Sequence, residues 1–251
     1  MSFESYLEGL RAILNRIERE QAENITQAGR LVADALSAEG VIHTFGTGHS
    51  HLIAEEAFFR AGGIAAVNPI LDERLIFLEG ALESTHAERE SGLASRLIER
   101  EYVRPEDAAI IISNSGRNAA PIEMALEMKA RGVKVVAITN LRQSRDAAPR
   151  HPSGKRLFEL ADVAIDNCTP RGDALLDLTG PDSRIGATST VAGAAIINSI
   201  MIEAVTELLR RSERIPILPS ANLEGVTEET LFQALRPYRT RIRYFDSDRR
   251  R

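Results

Sequence analysis

Short, almost wholly apolar runs that each end in a polar turn and re-enter a helical pattern constrain this chain more than any other feature. VIHTF, from Val41, is closed by Gly46-Thr47-Gly48-His49-Ser50-His51, and AAIIIS, from Ala108, by Ser113-Asn114-Ser115-Gly116-Arg117-Asn118. GIAAVNPIL, VKVVAIT and ADVAIDN are further runs of the same kind. β-Branched runs without polar alternation read as strands buried on both faces. Separated by helix-period segments, they predict an α/β fold, a doubly wound parallel sheet of about five strands. The expected helices are LIAEEAFFRAG, the charged stretch from Gly80 to Glu101, PIEMALEMKARG, and STVAGAAIINSIMIEAVTELLRRS, which follows Gly186-Ala187-Thr188.

Ahead of the first strand, apolar residues recur at helical spacing from Phe3 to Leu36 and predict one long helix or two consecutive ones. This gives an N-terminal helical arm (1–38), an α/β body (39–211) and a C-terminal extension (212–251) of an extended piece, a short helix and a basic tail. The segments Leu141–Arg156 and Thr169–Arg184, rich in Pro, Gly and Asp, are expected to be loops. A long amphipathic helix needs something to bury, so the arm is expected to pack on the body and on a second copy, as a homodimer or homotetramer.

Composition narrows the function classes. With 31 Lys and Arg against 36 Asp and Glu, the net charge is −5, which disfavours a broad nucleic-acid surface; the basic tail, with few aromatics interleaved, reads as a solvated terminus. A single cysteine, Cys168, allows no intramolecular disulfide and fits a reducing compartment. The charged N-terminus, and the lack of an uninterrupted apolar stretch of roughly 20 residues, point to a cytoplasmic chain with no membrane partner.

In a doubly wound sheet, ligands bind outside the carboxyl ends of the strands. All three polar turns fall there, and helix N-termini present free N–H groups that favour anions such as phosphate. Ser and Thr hydroxyls add uncharged donors, although the same residues also serve as ordinary helix caps. The first turn lacks the third glycine of a dinucleotide fingerprint, and no Gly-Lys-Ser/Thr of a P-loop is present, so no nucleotide cofactor is expected.

F-G-T-G-H-S after the first strand, I-I-S-N-S-G-R-N at the third and T-S-T-V-A-G-A-A-I-I-N entering the last long helix resemble the sugar isomerase (SIS) domain family, which binds phosphosugars. The resemblance covers about Val41 to Leu209 and is nearest to uncharacterised stand-alone SIS proteins. It implies that Ser50, Ser113, Ser115, Asn118, Thr188 and Ser189 contact the phosphate or sugar hydroxyls. Gly46, Gly48, His49 and Gly116 complete the binding turns. It also implies subunit contacts near the pocket, and an isomerase without cofactor as the leading activity. A phosphosugar lyase or etherase and a non-catalytic sensor are the alternatives.

Aldose–ketose interconversion moves a proton between adjacent carbons and needs a carboxylate or imidazole beside the sugar. Glu55 and Glu56 lie early in the helix after the first turn, where they also suit the helix dipole. The acid that phosphoheptose isomerases and etherases of the family carry further along that helix corresponds here to Arg60. Glu79-Gly80-Ala81-Leu82-Glu83 is similar to the etherase region that supplies a second acid, which makes Glu83 a candidate, with His86 and Glu88 beside it. Of these, His86 is the imidazole, a residue type able to exchange a proton near neutral pH. His43, His49, His51 and His86 with Glu55 raise the question of zinc, but no HExxH or His/Cys array supports it and no metal is expected. Arg171 and Asp173 fit either ligand contact or surface turn chemistry.

Overall fold

In the computed structural model, which describes residues 2–178, 180 and 183–245, the N-terminal pattern is one unbroken helix, α1 (Phe3–Ser37). Ser2 caps it by accepting the Ser5 N–H at 3.4 Å. Its buried residues Leu10, Ile13, Ile17, Ile25, Ala28 and Val32 form one stripe. That stripe lies against the last long helix, α7 (Ser189–Arg210). The two backbones approach closely at Gly29, where any Cβ would collide with Cβ of Glu203.

The sheet is formed by β1 (Ile42–Gly46), β2 (Val67–Ile70), β3 (Ala108–Ile112), β4 (Lys134–Thr139) and β5 (Val163–Asp166), all parallel, in the order β2-β1-β3-β4-β5. Alternate residues along each strand face opposite layers, so both faces must be covered. Ile42, Ile110, Ile112, Val136 and Ile165 pack under α1, α7 and α2 (Ser50–Glu56). Phe45, Ile111, Val135 and Ala137 pack under α4 (Leu93–Ile98) and α5 (Ala119–Ala130). This two-sided burial is the doubly wound α/β arrangement that the unalternated runs predict.

Several element boundaries depart from the sequence expectation. The charged stretch from Gly80 to Glu101 is two short helices, α3 (Ala81–Ala87) and α4, because Gly92 turns left-handed (φ 84°) and its N–H is taken by the Glu123 carboxylate at 2.8 and 2.9 Å. The helix after the first turn stops at Glu56, and Phe59 adopts φ 42° soon after. Part of the segment from Leu141, expected to be a loop, is helix α6 (Leu141–Asp146), capped by the Asn140 side chain on Gln143 N–H at 2.9 Å. Between Thr169 and Arg184 the chain forms most of an antiparallel hairpin, β6 (Ala174–Asp177) with β7 (Arg184–Ala187), onto which the Tyr6 hydroxyl donates at Ala187 O, 2.7 Å. The C-terminal piece is extended through Ile217, bridged to Ile64, and has the expected short helix, α8 (Glu228–Leu235); the end of the basic tail, 246–251, lies outside the described residues.

The last described segment is anchored deep in the body. Arg241 donates to both oxygens of Asp107 at 2.7 and 2.8 Å, where that carboxylate also accepts the Val41 and Arg104 N–H groups. His43, buried on β1, contributes Nε2 at 3.1 Å and holds Asn68 through Nδ1 at 3.1 Å, so it is a core histidine. Helix α7 is long and apolar enough to span a bilayer by length and composition, but its buried face, Ala192, Ile196, Ile197, Ile200 and Ala204, is part of this core.

Candidate functional site

The strand order reverses between β1 and β3, because the chain leaves β1 for β2 on one side and returns to β3 on the other. A crevice opens outside the carboxyl ends of strands at such a point. The first polar turn follows β1 and the second follows β3, so both flank it.

In the first turn the Gly48 N–H is held by Leu75 O at 2.8 Å and the Ser50 N–H by Thr47 O at 3.0 Å. Gly46 ends the strand where a Cβ would strike the Ser50 carbonyl. His49 lies exposed over the Phe77 ring, 4.8 Å between centroids, while His51 Nδ1 is turned back onto Gly48 O. In the second turn Ser113 Oγ accepts the Gly116 N–H at 3.1 Å. Gly116 has φ 60°, and a Cβ there would come within 2.8 Å of Ser144 Oγ and 3.0 Å of Thr139 Oγ1, so this position requires glycine. Among the described residues, the Ser50 and Ser115 hydroxyls have no protein partner.

Glu88, just past α3, ties the two turns together. Its carboxylate accepts Thr47 Oγ1 at 2.9 Å and Asn118 Nδ2 at 2.7 Å, and its carbonyl accepts the Ala120 N–H of α5 at 3.0 Å. Arg150 Nη1 donates to Asn118 Oδ1 at 2.9 Å from the far side. A polar chain continues along the edge, from Asn114 Oδ1 to Asn167 Nδ2 at 2.8 Å, and from Asn140 Nδ2 to Thr169 O at 2.7 Å.

The third turn is organised differently. Asp173 Oδ1 accepts the N–H groups of Thr188 at 2.9 Å and Ser189 at 2.6 Å, and Oδ2 accepts Ser189 Oγ at 2.7 Å. The N-terminus of α7 therefore carries a carboxylate of its own chain, so Asp173 acts within the fold as a cap on α7. Arg171, its neighbour in that loop, is exposed at 4.0 Å from Asp146.

The acids and imidazole nominated for proton transfer are spread out. Glu56 accepts Asn198 Nδ2 of α7 at 3.0 Å and pairs with Arg60, joining α2 to α7. Glu55 is exposed, 4.0 Å from His51 Nε2. Glu83 faces Arg74 at 3.7 Å, and His86 is exposed on α3. Glu88 is the acid of this region that touches both turns, a reach of 41 residues to Thr47 and 30 to Asn118 with no signature in sequence spacing. Among the described residues no three His, Cys, Asp or Glu side chains converge as a metal set. Burial, with Asp166 nearby, pushes the Cys168 thiol up to about 11, so it stays protonated and unreactive near neutral pH.

Comparison with known proteins agrees with this architecture. Residues 5–140 match the family model of the SIS domain. A UPF0309 protein of Caldanaerobacter subterraneus is 40% identical over 242 residues, 95% of this chain and 98% of that protein. One from Geobacillus thermodenitrificans is 39% identical over 225 residues, 90% of each. Among solved structures, the phosphoheptose isomerase of Neisseria gonorrhoeae superposes with a TM-score of 0.54 at 16% identity, over 81% of this chain and 97% of that one. A structure described as a putative phosphosugar isomerase from Silicibacter pomeroyi gives 0.51 at 15% identity, over 83% of this chain and 51% of that one. With more than half its length matched by the family model, and nearly all of it paralleled by UPF0309 proteins, the chain belongs to the SIS-domain family.

Proposed function

We propose that this protein binds a phosphorylated sugar or amino-sugar derivative in the crevice between the first two turns and isomerises it by aldose–ketose proton transfer, with no cofactor. The observation that carries this reading is the pair of hydroxyl-rich turns at the reversal of strand order, joined by one carboxylate. Ser113, Ser115, Gly116 and Asn118 form the phosphate receptor, with the unpartnered Ser115 hydroxyl as its free donor, because tetrahedral oxyanions are satisfied by converging polar donors. Gly46, Gly48, His49 and Ser50 face the sugar hydroxyls. Glu88 is the group that takes a proton from the carbon beside the carbonyl and returns it to the neighbouring carbon. Thr188 and Ser189, bound to Asp173, support the edge of the site.

The test is a thermal-shift panel of aldose, ketose and N-acetylamino sugar phosphates beside the unphosphorylated sugars, followed by solvent-deuterium exchange into whichever ligand stabilises the fold. A ligand at a hundred times its Kd adds about 2.7 kcal/mol. Stabilisation by phosphorylated sugars alone, with exchange at the carbon next to the carbonyl, supports isomerisation; stabilisation without exchange supports a sensor. Ser115→Ala is expected to weaken phosphosugar binding by about 1–3 kcal/mol, read by calorimetry, since it removes a donor to a charged group. Unchanged affinity would take Ser115 out of the receptor.

The same reading includes a homodimer or homotetramer. The outer side of the α1–α7 pair leaves Leu14 and Ile202 exposed beside Ile25 and Ala195, an apolar groove suited to a second copy. Sedimentation equilibrium is expected to give at least twice the chain mass, and Ile202→Glu to lower it; a monomer at micromolar concentration would remove this part of the reading.

A further inference from the structure

The second turn is surrounded by more positive charge than a receptor of neutral donors requires. Arg117 lies within the turn, Arg150 donates both its Nη1 to Asn118 and its backbone N–H to Arg117 O at 3.0 Å, and Arg89 directly follows the Glu88 that binds Asn118. Arg117 and Arg89 lie close enough to Arg150 for their charges, after burial, to lower its pKa. One carboxylate, Glu88, sits among these three guanidinium groups, and both its oxygens are committed to Thr47 and Asn118. Among the described residues neither Arg89 nor Arg117 has an acidic partner, and Arg117 Nε is enclosed without a hydrogen bond. By contrast, Arg131 holds Glu127 at 2.5 Å and Arg184 holds Asp177 at 2.5 Å. In a chain of net charge −5, this local excess is a specific feature.

We propose that Arg117 and Arg89 make the crevice selective for the doubly charged form of a phosphate ester, the turn hydroxyls fixing the tetrahedral group and the two guanidinium groups reading its charge. This rests on the phosphosugar reading above and adds a property that neutral donors lack. Three cations against one carboxylate leave two positive charges, the complement of a phosphate ester above its second pKa of about 6. A sulfate ester has the same shape and a single charge, so hydroxyl and N–H donors alone distinguish the two weakly.

The experiment is calorimetry with glucose 6-phosphate and glucose 6-sulfate at pH 8 and pH 5.5, on the full chain and on Arg117→Gln, Arg89→Gln, their combination, and Arg117→Lys. The wild type is expected to prefer phosphate by about tenfold or more at pH 8, in line with charge-assisted hydrogen bonds. That preference should shrink at pH 5.5, where the phosphate takes up a proton. The titratable groups beside the cluster are Glu88, just past α3, and His151, next in sequence to Arg150, whose Nε2 lies 3.6 Å from Glu123 of α5. The sulfate ester does not titrate in this range and reports any change that comes from those groups. The double glutamine variant should lose most of the preference at pH 8, while Arg117→Lys should retain much of it. Melting temperatures near that of the wild type identify folded variants, and Arg89→Gln, at an exposed position, tests the idea independently of the turn.

Equal phosphate preference in the wild type and in folded glutamine variants overturns the selectivity proposal and leaves the phosphosugar reading intact. If neither ester binds, nor any member of the phosphosugar panel, both fail together.

Discussion

Glu88→Gln is expected to reduce solvent-proton exchange into the bound sugar phosphate by about 10²–10⁴-fold, the range for loss of a positioned acid–base group. A glutamine can still receive Thr47 through its carbonyl oxygen but loses the bond from Asn118 Nδ2, so exchange is compared per bound ligand. The measurement is deuterium incorporation followed by NMR beside a calorimetric Kd. Glu56→Gln is the informative contrast. Its carboxylate is engaged with Asn198 and Arg60 on the α7 side, so its loss should weaken packing and leave exchange per bound ligand nearly unchanged. If instead Glu88→Gln exchanges at the wild-type rate and Glu55, Glu83 or His86 variants do not, the proton is carried from outside the junction of the turns.

Asp107→Asn is expected to cost about 3–5 kcal/mol of folding stability, because removing one partner leaves the buried Arg241 charge uncompensated. Both side chains are enclosed, Asp107 fully and Arg241 at 7% exposure, so water cannot replace the lost pair. Urea denaturation gives the number, and a loss below about 1 kcal/mol would mean that the C-terminal segment is held elsewhere. The pair also sets an acid limit. Burial alone would raise the Asp107 carboxyl, but the hydrogen bonds from His43 and from the Val41 and Arg104 amides hold it below its ordinary value. A carboxyl lowered in the native state stabilises the fold fully above its unfolded pKa of about 3.9 and loses that contribution as pH falls through the lower native value. The cost of Asp107→Asn should therefore be largest above about pH 4 and shrink as pH falls through the native value, where the wild-type carboxyl is itself protonated.

The fold was readable because its signals are local. Runs such as AAIII and KVVAIT can be buried on both faces only in a covered parallel sheet, and the glycine turns mark where each strand gives way to a helix. The hairpin β6–β7 was hidden because its strands are four residues each, half-exposed, and set among Gly172, Gly180 and Asp177. At the site, the turns were legible and their partners were not. Ser189 reads as a ligand contact or as a cap with equal right; what decides is an acid 16 residues away, brought back by the hairpin. Glu88 stood in a row of polar residues from Glu83 onward, and only the short turn between α3 and α4 aims it at Asn118. Arg150 was hidden for the same reason, on a loop whose course depends on tertiary packing.

The pairing of α1 with α7 also orders events in time. α1 leaves a ribosome well before α7, whose surface, beginning at Ser189, covers the apolar stripe of α1. At about 5–20 residues per second, roughly ten to thirty seconds of synthesis separate the two. During that interval the stripe from Leu10 to Val32 has no native partner from α7, and the close approach at Gly29 forms only once α7 has been made.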